Sequence, residues 1–395
     1  MRHIPFLLPE RSTSESGPSV VFLLAISALL LTLPACASSS STSSKTRART
    51  ESVAHTLVLV DAKTGKIDSY LPDPDSQGPS SVVSDGESGW YVSGRFAHVG
   101  KIPRRGLAHL KSDGSVDTAF VPDVPRGVSL GTMLLHGGVL YTTDYGEGVF
   151  ALDAKSGKSL WHTSDRGNHV MSVAFGNGVL FVGGDFARIG GAARDGIAAL
   201  DPATGKPTSW QVHLSVSVAG SPAVVALAIV DGTVYIGGAF DRVNNFKREL
   251  GLAAVSARTG RPTSWAPRNV GVARRLESAG SLLVTHGQVL VGSAGEGFAA
   301  FDARSARALS WSGLLNGSVW ALVSSGDTVY LGGTPGPGFS RAGGRPANNL
   351  ASVVLPQGRF TDWRPDLGPC RDVQAMATYG GKVLVAGYFS STPCS

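Results

Sequence analysis

Phe181 to Trp210 reads FVGGDFARIGGAARDGIAALDPATGKPTSW, and Tyr235 to Trp265 reads YIGGAFDRVNNFKRELGLAAVSARTGRPTSW. The two stretches repeat one phrase. An apolar strand ends in Gly-Gly, a loop follows, then an Ala-rich strand, a Thr-Gly turn and an aromatic. Weaker copies continue in both directions. A tandem unit of about 40 to 50 residues made of short strands and Gly-marked turns signals radially repeated small sheets.

The repeats can be counted. Turns between the first two strands of each unit fall near Gly86, Gly138, Gly178, Gly232, Gly287, Gly326 and Gly380, each flanked by the apolar runs a hairpin requires. Third strands are expected at 56–61, 106–111, 148–153, 196–201, 251–256, 297–302 and 349–354. Fourth strands carry Tyr70, Phe120, Trp161, Trp210, Trp265, Trp311 and Trp363. Every tally is seven, so the expected fold class is all-β, a seven-bladed β-propeller. First strands such as VVALAI, SVWALV and VQAMAT are rich in small residues, as crowding near an axis demands. The fourth-strand aromatics suit an outer rim, where large rings cover gaps between blades.

The repeats open on a third and fourth strand (55–70) and finish on a first and second (373–378 and 382–388). The last blade is therefore expected to be closed by strands from both termini, which removes the free edges an open array would expose. Cys370 and Cys394 fall near the open ends of the final hairpin, where a disulfide would brace it.

Val20 to Leu33 is an unbroken, mostly apolar run. Its length fits a signal-peptide core better than a membrane span. Leu33-Pro34-Ala35-Cys36 follows and resembles a bacterial lipobox, in which the cysteine is lipidated. Residues 1–35 are thus expected to be a lipoprotein-type signal peptide, 36–54 a Ser/Thr-rich tether, and 55–395 the propeller. A plain secretory signal or a short membrane anchor are the alternatives. All three place the domain outside the cytoplasm, at the cell membrane if Cys36 carries lipid. The net charge of +6 is dispersed, with no Lys/Arg run interleaved with aromatics, so nucleic acid is not expected as a partner. Contact with anionic lipid or a cell-wall polymer stays open.

Two family resemblances are carried by specific residues. Ala151-Leu152-Asp153-Ala154-Lys155-Ser156-Gly157-Lys158-Ser159-Leu160-Trp161 resembles the tryptophan-docking motif of PQQ-like propeller repeats, and Ala199 to Trp210 and Ala300 to Trp311 are looser versions. Arg95-Phe96 through Phe120 resembles the delta-60 repeats of bacterial surface proteins. Both resemblances imply the fold from about residue 55 onward. They imply little about function, because repeat motifs describe a scaffold. PQQ-like propellers that scaffold outer-membrane protein assembly offer one functional analogy, though they have eight blades.

Signatures of chemistry are sparse. No two of the nine histidines stand at i,i+2 or i,i+4, so no zinc-type spacing exists, and there is no Cys-Cys pair of the kind alcohol-oxidising quinoproteins use. No metal and no cofactor are expected. Asp153, Asp201 and Asp302 share one repeat position and read as turn-forming carboxylates. His136 and His286 fall at equivalent first-to-second-strand turns and read as turn residues. Gly183-Gly184, Gly237-Gly238 and Gly332-Gly333 read as close backbone approaches.

The candidate binding face draws on Arg268, Arg274 and Arg275 in one long inter-blade connection and on Trp320, which interrupts a small-residue first strand. It also draws on Arg104, Arg194, Arg248 and Arg345 in the long loops between second and third strands. Trp320 either faces the axis or packs between blades. The loop arginines either grip an anion or hold loop carbonyls. The expected function is a non-enzymatic, membrane-anchored, monomeric binding or scaffold module for a protein, glycan or envelope polymer. The alternative is a lyase or hydrolase with a pocket at the axis, which needs convergent ionisable groups there.

Overall fold

The computed structural model describes residues 54–75, 78–125, 127–146, 148–163, 167–217, 220–249, 251–268, 279–293, 298–312, 314–333, 338–368 and 370–390. Cys36, Cys394, Arg274 and Arg275 lie outside them, as do the expected signal peptide and nearly all of the expected tether. All regular structure among the described residues is β.

Six sheets follow in chain order, each led by a hairpin. Their first strands are Pro79–Ser84, Leu130–His136, His169–Gly176, Ala223–Val230, Ala279–Thr285 and Ala321–Ser325. Their third strands are Leu107–Leu110, Gly148–Asp153, Ile197–Leu200, Leu252–Ser256, Phe298–Asp302 and Leu350–Val354. These six are called sheets 1 to 6. The last sheet joins both ends of the described chain, in the order Ile67–Tyr70, Ala54–Asp61, Lys382–Ser390, Cys370–Tyr379. Within it Leu57, Val58, Leu59 and Val60 pair with Ala386, Val385, Leu384 and Val383. Cys370 lies opposite Ser390.

Fourth strands are shorter than the repeat predicts. Ile67–Tyr70, Ser159–His162 and Arg359–Phe360 are strands. In sheets 1, 3, 4 and 5 the fourth segment is a single bridge: Leu110 to Val116, Leu200 to Pro207, Val255 to Pro262 and Phe301 to Ala308. A proline has no N–H to extend a ladder, which accounts for sheets 3 and 4.

Alternation along each strand turns its two faces toward two neighbours. Leu57 packs with Val82, Trp90 and Val92 of sheet 1. Val58 and Val60 pack with Ala321, Tyr330 and Leu350 of sheet 6. A hydrophobic cluster of this kind fills each gap between consecutive sheets. First strands neighbour one another in chain order, and Cys370–Tyr379 lies beside both Ala321–Ser325 and Pro79–Ser84.

Aromatic donors fasten sheets 2, 3, 4 and 6 to the next, whereas Trp311 Nε1 of sheet 5 is buried without a partner. Trp161 Nε1 donates to Pro202 O at 2.9 Å, Trp210 Nε1 to Ser256 O at 3.1 Å and Trp265 Nε1 to Asp302 O at 3.1 Å. Trp363 Nε1 donates to Asp61 O at 3.0 Å, and the Tyr330 hydroxyl to Ala62 O at 2.7 Å. All these acceptors lie in turns between third and fourth strands. The turns hold themselves as well: Asp61, Asp153, Asp201 and Asp302 accept from the side chain and amide of Thr64, Ser156, Thr204 and Ser305. Those hydroxyl bonds, first among the causes, keep these carboxylates below their ordinary pKa. Exposed cations flank the same turns. One lies within the turn at Lys63, Lys155, Arg258 and Arg304 or just before it at Lys111, and one follows at Lys66, Lys158, Lys206, Arg261, Arg307 and Arg359.

The two histidines lie at equivalent turns but one place apart in them. His286 takes the left-handed place (φ +49°) that Gly137 takes in sheet 2, whereas His136 ends its strand and stacks on Phe175 at 3.7 Å. The Gly-Gly pairs do mark close approach: a Cβ on Gly333 would lie 2.7 Å from Ser318 O.

Candidate functional site: the bulged ends of the first strands

The first strands share a defect that the sequence did not announce. The ladder slips between Pro79 and Ser81, Leu130 and Met133, Val170 and Ser172, Val224 and Ala226, Ala279 and Ser281, and Val373 and Ala375. Sheet 6 has the matching irregularity: Trp320 N donates to Gly332 O at 2.8 Å while Ala321 is the ladder partner of Gly332. A bulge places two residues opposite one and re-aims a side chain away from the regular alternation.

Burial reverses at these positions. Val170, Val224, Val319 and Val373 are fully buried just before the slip, and Ser172, Ala226 and Ala321 are buried just after it. The bulged Met171, Val225 and Gln374 are half-buried, Ser80 is exposed, and Trp320 is 40% exposed. Six of the seven tryptophans are more enclosed than Trp320. In sheet 2 the bulge contains Gly131, and the ring of Tyr145, itself exposed, lies over it. The bulged residues of sheets 3, 4 and 6 are therefore apolar (Met171, Val225, Trp320), and those of the last sheet and sheet 1 are polar (Gln374, Ser80).

Gln374 adjoins an unusual carboxylate. Gln374 Nε2 donates to Asp372 Oδ2 at 2.7 Å, but Asp372 Oδ1 is buried without a partner. Burial pushes the Asp372 pKa above the ordinary carboxylate value. Tyr388, its cross-strand partner, is raised too, first by burial and then by Asp372. Among the described residues no group of three or more His, Cys, Asp or Glu is placed to hold a metal ion.

The loops beside this end are built rather than slack. Between second and third strands, sheets 1, 3, 4 and 6 each insert a small hairpin, such as Arg188–Ile189 with Ala192–Ala193 and Arg341–Ala342 with Arg345–Pro346. Their tips are Gly190-Gly191, Asn244-Asn245 and Gly343-Gly344 in sheets 3, 4 and 6, all with positive φ, the conformation of a two-residue hairpin turn. Each hairpin leans on the segment arriving from the preceding sheet. Pro74 bridges to Val99, Leu214 pairs with Val243, and Leu315 bridges to Ala342.

The loop arginines belong to this scaffold. Arg104 Nη1 and Nη2 donate to Pro103 O and Asp117 O, both at 2.8 Å. Arg194 repeats the pattern on Ala193 O and Thr208 O at 2.7 and 2.6 Å, and Arg248 on Lys247 O and Thr263 O at 3.0 and 3.3 Å. Arg104 and Arg248 are buried, and burial lowers both pKa values. Arg345 departs from the pattern and pairs with the exposed Asp362. Arg268 is exposed. The structure thus places Arg104, Arg194, Arg248 and Arg345 each in its own sheet's loop and does not draw them to one point. Trp320 stands apart from them at a bulge.

Comparison with known proteins agrees with this architecture. A family model described as outer membrane protein assembly factor BamB matches residues 83–341. No curated protein matches the chain by sequence. The crystal structure of BamB from Moraxella catarrhalis is similar at 18% identity, covering 79% of this chain and 85% of that one, with a TM-score of 0.46. A chain in the crystal structure of the mitotic checkpoint complex is similar at 14% identity, covering 89% and 97%, with a TM-score of 0.52. That likeness concerns the fold.

Proposed function

The chain belongs to the family of the outer membrane protein assembly factor BamB, and from that premise we propose that it is a non-enzymatic, extracytoplasmic binding scaffold for a segment of another protein. We infer a ring of seven blades closed by strands from both termini. The pairing of residues 57–60 with 383–386 supports this, as do the tryptophan and tyrosine bonds from sheet 6 to Asp61 and Ala62. Cys370 and Cys394 would brace the closing blade. Lipid on Cys36 would hold the protein at the membrane. Cys36→Ser is then expected to release it into the soluble fraction, and retention in membranes would point to an uncleaved anchor.

The binding reading rests on the reversal of burial at the bulges, with Trp320 foremost. An exposed tryptophan among half-buried apolar residues, beside polar groups, is the kind of anchor that dominates protein interfaces. Arg104, Arg194 and Arg248 serve this face by stiffening the hairpins around it, while Arg268 and Arg345 add charge at its rim. The test selects a displayed library of random peptides on the full chain. Trp320→Ala should weaken the selected peptides by about tenfold or more. Phe246→Ala, beside the Asn244-Asn245 hairpin tip, should leave them unchanged. Peptides indifferent to Trp320 would move the site elsewhere, and a selection that enriches no peptide would remove the binding reading itself.

A further inference from the structure

The face bearing Trp320 leaves the opposite end of the sheets unexplained. In an up-and-down sheet, the turns between third and fourth strands lie at the end away from the bulges. Those turns carry the eleven flanking cations named above, and every one is exposed. Among the described residues none of them forms an ion pair, whereas Lys382 nearby is tied to Asp61 and Asp68. The five carboxylates of the same turns are Asp61, Asp113, Asp153, Asp201 and Asp302. The cations exceed them by six, the size of the chain's whole formal net charge of +6.

The turns hold their cations at fixed positions. Each turn is closed by its own hydroxyl–carboxylate bonds or pressed on the preceding sheet, as where Gly205 meets the Trp161 ring. The turns between first and second strands, at the same end but nearer the inner strands, contribute Asp85, Glu87, Asp231 and Asp327. Two of these are occupied, Asp85 by His109 at 3.1 Å and Asp327 by His286 at 2.9 Å. Positive charge therefore dominates the outer turns, and it recurs sheet after sheet instead of forming one groove. A linear polyanion would have to bend along the whole series to meet every turn. A plane of negative charge meets them together, and point charges held near such a plane attract it additively.

We propose that this end of the molecule docks on a bilayer carrying anionic headgroups. Peptide capture at the bulges and lipid docking at the turns lie at opposite ends, so either stands without the other.

The test uses the chain from Thr50 onward, a compact unit that contains every core cluster, after its cooperative melting has been checked. Sedimentation with vesicles of phosphatidylcholine and a quarter phosphatidylglycerol should show binding that pure phosphatidylcholine does not. Raising the salt should abolish it as the screening length shrinks. Each cation near an anionic bilayer contributes about fivefold in partitioning, so Arg304→Gln with Arg307→Gln should lower it about twentyfold. Lys101→Gln with Arg105→Gln, an equal loss of charge at the other end, should change it less than about twofold. Equal losses in the two variants, salt-insensitive binding, or binding to soluble polyphosphate with none to the vesicles would each overturn the proposal.

Discussion

A chain ending at Thr361 is expected to lose cooperative unfolding altogether. The deletion removes Cys370–Tyr379 and Lys382–Ser390, leaving Ala54–Asp61 paired only with the short Ile67–Tyr70. Val373, Val383, Leu384, Val385 and Ala386 are fully buried in the intact protein, and Leu57, Val58 and Val60 are fully buried against them and their neighbours. Each large aliphatic contributes about 2 kcal/mol by its burial. Their combined loss, about 14 kcal/mol, is comparable to the upper end of the roughly 5–15 kcal/mol that holds a typical domain folded. Damage would also spread to sheets 1 and 6, whose clusters include residues of the missing sheet. Circular dichroism during heating decides the matter. A sharp transition near the wild-type midpoint would mean that the remaining sheets hold themselves, and the inferred closure by both termini would fall.

Gly358→Ala should be strongly destabilising for a single added methyl. Gly358 sits in the turn after the third strand of sheet 6 with φ +69°, and a Cβ there would lie only 2.0 Å from Trp311 Cγ. Trp311 cannot retreat, because it is buried against Phe298 and Phe360 at 5.7 and 6.5 Å. The left-handed backbone costs a non-glycine residue about 1 kcal/mol, and overpacking adds about 1–3 kcal/mol. Gly344→Ala separates the two effects. Its φ of +80° is equally left-handed, but nothing lies within 4 Å of the added carbon, so only the backbone cost of about 1 kcal/mol remains. Denaturant midpoints should therefore fall several times further for Gly358→Ala. Equal losses would show that the ring yields and that the turn is not clamped by its neighbour.

The strands and turns were legible in the chain because each repeat restates its own pattern. Third strands fall within two residues of their predicted bounds, and the first-to-second-strand turns fall at the predicted glycines. The tryptophan at the end of the repeat marked the outer edge, and in Trp161, Trp210, Trp265 and Trp363 its indole N–H has a reason, since it bonds the next sheet's turn. What escaped reading depends on how many amides face one carbonyl. A bulge leaves no mark in composition: Ser80, Met171, Val225, Trp320 and Gln374 have no chemistry in common. Trp320 alone drew notice, because its size breaks a run of small residues. The extra hairpins could have been read from Gly190-Gly191, Asn244-Asn245 and Gly343-Gly344, pairs suited to left-handed turns. Their placement inside long loops hid them. The arginines recur because each sheet needs the same brace, and recurrence within one chain is the mark of a scaffold part.

One feature of the last sheet bears on how the protein is made. Its second strand in spatial order, Ala54–Asp61, is translated well before the strand beside it, Lys382–Ser390, with residues 62–381 between them. During synthesis the earlier strand has no long partner until residues 382–390 have been made. The nascent polypeptide therefore cannot complete this sheet before then. If the chain is exported as proposed, that delay suits passage through a narrow translocation channel, since both halves of the fastening are present only once residue 390 has followed.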